Sequence, residues 1–255
     1  MNTNEPNPST PPVNPASSKP APGSGGPRPW QDPFALESMP EAPTALNAIA
    51  SLLKVPGRVL FQLSEPGGGK LALGLFVCLV VCLLTFGLLL GTFNGGTQLW
   101  AAPAKVLLGT FASALICLPS LVIFALLGGA DCSITKLGAL LLTMLALMGL
   151  LLVGFAPVIW VFAQSSSAVG FMGALGIAFW MLSWGFGLRM LTSLARNLGS
   201  RSKGALLAWG CIFLLVTFQM TSTLRPILGT SDTFLPQTKL FFLENWMSDI
   251  GLRNG

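Results

Sequence analysis

Four long stretches of this chain, residues 71–104, 106–130, 137–188 and 204–224, contain no Asp, Glu, Lys, Arg or His. A helix needs about 20 apolar residues to cross the hydrocarbon core of a bilayer. Each stretch allows one crossing. The third, interrupted by the Gln-Ser-Ser-Ser of 164–167, allows two. Spanning helices are therefore expected near 71–92, 106–129, 138–162, 168–188 and 205–221. The surplus of the first stretch, GTFNGGTQLWAAPA, reads as a loop, with Trp100 suited to the membrane–water interface. Only helices or closed barrels satisfy backbone polar groups in lipid, and these continuous runs lack the alternation of barrel strands. The expected fold is an all-α integral membrane protein: a bundle of five transmembrane helices with short interfacial amphipathic helices.

Composition agrees. Of 255 residues, 52% are hydrophobic and 9% charged, with mean hydropathy +0.71. A soluble domain carries about a quarter charged residues, so this chain cannot coat a globule with a solvated surface. The net charge of +5 reads as membrane topology rather than nucleic-acid binding. With the N-terminus cytoplasmic, Lys and Arg divide ten to four in favour of that side. The basic loop RMLTSLARNLGSRSKG contributes most, and Lys105 falls on the outer side. Five spans then leave the C-terminus outside.

The flanks differ. Residues 1–42, rich in Pro, Ser, Asn and Gly, have little to bury and read as a disordered cytoplasmic tail. Residues 43–70 form an amphipathic segment and a Gly-rich joint. Leu46, Ile49, Leu52 and Leu53 recur at helical spacing, Thr44 can cap, and Pro56 breaks the helix. The segment either lies among lipid headgroups or docks on the protein's own loops. The membrane domain covers 71–221. In the outer-side tail, 222–255, Leu243, Trp246, Met247 and Ile250 share a face, suggesting a second interfacial helix.

Chemistry is scarce. Without His there is no Ser-His-Asp or Cys-His nucleophile and no His-bearing metal site. Cys78, Cys82, Cys117, Cys132 and Cys211 form no CxxC and read as small apolar side chains. Asp131 and Lys136 suit a solvated turn or a local ion pair. Asp131, Asp232, Glu244 and Asp249 are too scattered to nominate a catalytic pair. No enzyme activity, cofactor or metal is expected. Candidate structural or partner-contact residues are Pro119 and Pro157, which kink spans two and three, and Arg225, Pro226, Gly229 and Trp246 after the last span. Gly87 and Gly91 make a GxxxG suited to close helix packing within the monomer or, less favoured, in a homodimer.

The order of LLKVPGRVLFQL, LICLPSLVIFALLGG, FAPVIWVFAQSS, FQMTSTLRPILG and FFLENW resembles bacterial inner-membrane proteins related to the Yip1 family, over roughly residues 50–246. LRPILG is the most specific piece. The resemblance implies a cytosolic N-terminal region, five spans and partner binding without catalysis. The family's polar and aromatic motifs and all Tyr are absent, so a vesicle-traffic role is not carried over. The expected function is a scaffold or adaptor in the bacterial cytoplasmic membrane, with the lipid bilayer, other membrane proteins or a second copy as partners and no nucleic acid. The alternative is a passive channel or small-molecule or lipid permease lined by Thr143, Ser165, Ser166 and Ser167.

Overall fold

In the computed structural model, the described residues are 32–39, 44–94, 98–130, 133–165 and 169–223. They form seven α-helices and, among themselves, no strand: α1 (Ala45–Lys54), α2 (Pro56–Ser64), α3 (Gly69–Asn94), α4 (Gln98–Leu127), α5 (Ile134–Ser165), α6 (Val169–Asn197) and α7 (Lys203–Thr223). Helices α3 to α7 are each long and apolar enough to cross a membrane. Short connections make successive spans antiparallel. Among the described residues the protein is thus all-α, with five helices fit to span a membrane.

Two boundaries differ from expectation. Most of the stretch GTFNGGTQLWAAPA is helical rather than loop: α3 continues to Asn94 and α4 begins at Gln98, with Trp100 79% exposed in its first turn, and residues 95–97 lie outside the described residues. Trp-Ala-Ala-Pro-Ala-Lys is mostly good helix former, and a proline is tolerated early in a helix. The fourth span runs through Arg189 and Arg196 to Asn197, because long cationic side chains near a helix end can reach polar surroundings from inside it.

α5 occupies the middle, with 61% of its most apolar window buried against 22–39% for the other four spans. It packs on α3 and α6; α4 packs on α3, and α7 packs chiefly on α4 rather than on its sequence neighbour α6. The outward faces carry large apolar side chains, among them Phe76 and Val81 on α3, Ile116 and Ile123 on α4, Trp160 on α5, Phe186 on α6 and Leu215 on α7. In water such surface would drive aggregation; in a bilayer it is matched to its solvent.

Because lipid is as apolar as leucine, helix association in a membrane rests on close packing and interhelical hydrogen bonds. Gly87 supplies the first. A Cβ there would sit 2.5 Å from Pro103 Cα, so the backbones of α3 and α4 touch at this level. The GxxxG glycine thus serves packing within the monomer.

At the end that carries α1 and α2, two turns have the same construction. α4 and α6 each finish in a Schellman motif with a left-handed glycine, Gly129 (φ 82°) and Gly199 (φ 96°). The motifs are closed by Ala130 N–H to Ala125 O and Ser200 N–H to Ala195 O, both 3.0 Å. Ser133 and Ser202 then cap α5 and α7, accepting from the Lys136 and Ala205 amides at 3.4 and 3.3 Å. Arg201 N–H donates to Gly128 O at 2.7 Å and stitches the two turns together.

α1 and α2 dock on this end. Thr44 Oγ1 caps α1 by accepting from the Asn47 amide, and Pro56 opens α2 at its first turn. Ala48, Leu52, Val59, Leu60 and Leu63 are buried in the core. Leu46 and Leu53, expected on the same apolar face as Leu52, instead point outward, 79% and 57% exposed.

Candidate functional site

Pro119 and Pro157 do lie inside helices, α4 and α5. Both side chains face outward, and neither lines an internal passage. Pro157 instead borders a shallow apolar groove of about 360 Å³ with Leu89, Val153, Ala156 and Trp160. Arg225, Pro226, Gly229 and Trp246 lie outside the described residues, as do Asp131, Cys132 and the second interfacial helix.

The inward stripe of α4 carries part of the bundle's buried polarity, including the buried cation Lys105. Lys105, Gly109, Ser113, Cys117 and Leu121 recur every fourth residue and are all buried. Opposite them, α7 buries Trp209, Phe213 and Thr217 at the same spacing. The Trp209 indole Nε1–H donates to the Cys117 carbonyl at 3.0 Å, and Ser120 Oγ donates to the same oxygen at 2.8 Å. Pro119 lies in that turn of α4, where it deletes one backbone donor. Since α4 and α7 are antiparallel, the bond fixes their register. It brings Phe213 level with Ser113, Thr217 with Gly109, and the end of α7 with Lys105.

Lys105 was expected beyond the membrane on the outer side. It lies inside α4, 1% exposed. The signal in the sequence was its isolation: one cation between uncharged runs of 34 and 25 residues.

Many hydroxyls in the spans turn back on their own helices, although that of Ser183, buried in α6, does not. Thr143 donates to Ala139 O, Ser165 to Val161 O, Ser113 to Gly109 O and Thr217 to Phe213 O, at 2.6–2.9 Å. This back-bonding satisfies a hydroxyl in hydrocarbon. Thr143 and Ser165, two of the hydroxyls proposed for a polar lining, are bonded in this way, and Ser166 and Ser167 lie outside the described residues. The thiols of Cys78, Cys82, Cys117 and Cys211 are free.

The second feature is a strap. Residues 32–39, expected within a disordered tail reaching to 42, lie against the folded core instead. Phe34, Leu36 and Met39 pack on the hydrophobic cluster, which gives this segment an apolar anchor. Pro33 O accepts from the Gly57 amide at 3.2 Å, and Phe34 O accepts from the Asn197 side chain at the end of α6. Arg58 pairs with Glu37 at 3.3 Å. Gly57 is required here because a Cβ would collide with the strap's backbone at Phe34 and Ala35. Gly57 and Asn197 carried no signal in the sequence, since their roles depend on contacts with the strap, which for Asn197 lies 163 residues away. Compared with protein-family models, curated proteins and solved structures, the chain finds no match.

Proposed function

We propose that this chain is a non-catalytic membrane scaffold or adaptor, seated in a bacterial cytoplasmic membrane with its N-terminus inside and its C-terminus outside, and related to the Yip1 family as its sequence order suggests. It binds other membrane proteins or a second copy of itself. One observation carries the reading: the strap 32–39 is fixed across α2 and α6, so the chain preceding it starts from a defined point on the bundle. Fixing eight residues costs about 1–2 kcal/mol each in backbone entropy, which suits a device that presents something. Back-bonded hydroxyls and a tight apolar interior support a role in binding rather than in passage or chemistry.

The test is a pull-down from native membranes after crosslinking, with wild-type chain, a Gly57→Val chain that unseats the strap, and a chain lacking residues 1–31. A defined set of proteins that accompanies the wild type and is depleted at least tenfold in either variant is expected. Equal recovery from all three, or no specific companion, overturns the proposal.

A further inference from the structure

α1 has three faces. With 3.6 residues per turn, Ala48 and Leu52 share the side turned to the bundle, 0% and 1% exposed. Asn47, Ser51 and Lys54 share a second side. Leu46, Ala50 and Leu53 share a third, which is exposed along its length. The Thr44 cap and the Pro56 start of α2 hold this register. A helix packed only on its own protein needs one apolar face, and one surrounded by water gains nothing by exposing a second.

The third face lies at the level where the outward apolar faces of the spans begin. α1 packs on α3 and α5 at the end where both begin. There, outward apolar side chains start within the first turns: Leu73 on α3 is 64% exposed and Ile134 on α5 is 65% exposed. The same end is ringed by exposed cations: Lys54, Lys70, Lys136, Arg196, Arg201 and Lys203. Among the described residues, the carboxylates of the cap and its joint are Asp32, Glu37 and Glu65, and Glu37 is engaged by Arg58. Excess positive charge beside an apolar stripe at bilayer level is complementary to one surface, a leaflet carrying anionic phospholipid.

We infer that this end of the bundle docks on an anionic leaflet, with Leu46 and Leu53 of α1 immersed among the acyl chains and the rim cations on headgroup phosphates. Asn47, Ser51 and Lys54 then face the headgroups and water. The strap and α2 lie behind α1, and the leaflet holds the helix from the side the protein leaves open.

The experiment uses the full chain in nanodiscs of phosphatidylcholine alone or with a third phosphatidylglycerol. Nitroxides are attached singly at positions 46, 53, 47 and 51, with the five native cysteines replaced by alanine. In the anionic discs, labels at 46 and 53 are expected to relax strongly with oxygen and weakly with a water-soluble nickel chelate, and those at 47 and 51 in the opposite sense. In parallel, native mass spectrometry of the chain with its own cysteines reads retained phosphatidylglycerol. Neutralising Lys54, Arg196 or Arg201 singly to Gln is expected to weaken retention about fivefold per cation. Nickel access at 46 and 53 equal to that at 47 overturns the inference. So does shielding of 46 and 53 from both reagents, which would mean a second copy covers α1, and so does retention unchanged by loss of the cations. No partner protein is present, so failure here leaves the scaffold reading standing.

Discussion

The indole of Trp209 donates its only hydrogen bond to the carbonyl of Cys117, 3.0 Å away on a helix 92 residues earlier in the chain. Trp209 is fully buried and its ring stacks on Phe213. An indole N–H inside hydrocarbon has no water to turn to, so this bond both satisfies the donor and pins α7 to α4. Trp209→Phe keeps most of the ring and deletes the donor. It should destabilise the bundle by about 0.6–1.7 kcal/mol, the range for interhelical hydrogen bonds in membranes. Equilibrium unfolding in mixed micelles reads the loss, and an unchanged midpoint would mean that packing alone holds the pair.

Gly87 and Gly154 should respond oppositely to the same change. Gly87→Ala drives a methyl into the Pro103 backbone, which cannot rotate away, and should cost more than about 2 kcal/mol. Gly154 has nothing within 4 Å of a new Cβ, so Gly154→Ala should be neutral or stabilising by up to about 1 kcal/mol. Thermal aggregation in detergent, followed for both variants side by side, would register the divergence; a matched response would show that the α3–α4 contact is loose.

The strap should depend on shape more than on charge. Gly57→Ala should free residues 32–39 for limited proteolysis, because its methyl meets the strap's backbone. Glu37→Gln removes a pair whose side chains are 50% and 19% exposed, and should alter stability by no more than about 0.5 kcal/mol. Cleavage at the strap measured against time separates the two; faster cutting in Glu37→Gln than in Gly57→Ala would reverse the assignment.

Glycine at 199 answers to a different constraint. Its φ of 96° is strained for any other residue, and the turn it makes carries Arg201 to Gly128. Gly199→Ala should cost about 1–2 kcal/mol, and amide exchange should rise at Arg201 as well as at Ser200. Exchange confined to Ser200 would show that the two turns are not coupled.

The five spans were legible because absence of charge over 20 residues is a local property, and the Thr44 cap and the Pro56 break because they act within one turn. Helix ends were less so. Lys105 and Arg189 had marked boundaries, yet long cationic side chains can be carried within a helix, and α4 and α6 extend beyond them. Face assignment failed at Leu46 and Leu53, since periodicity says which residues share a side but not how many sides meet apolar matter. The contacts Gly57–Phe34, Asn197–Phe34, Gly87–Pro103 and Trp209–Cys117 could not be read at all. Each joins segments whose proximity only the folded bundle creates.

The strap is gripped by residues made at very different times. Its bond to Asn197 requires that 163 further residues, including the first four spans, already exist. During synthesis, the strap therefore leaves the ribosome well before the residue that completes its hold. A chain halted after α5 would leave Phe34, Leu36 and Met39 without the Asn197 hold on their segment, so the bond to Asn197, though not the strap's contacts with α2, marks a molecule whose fourth span is in place.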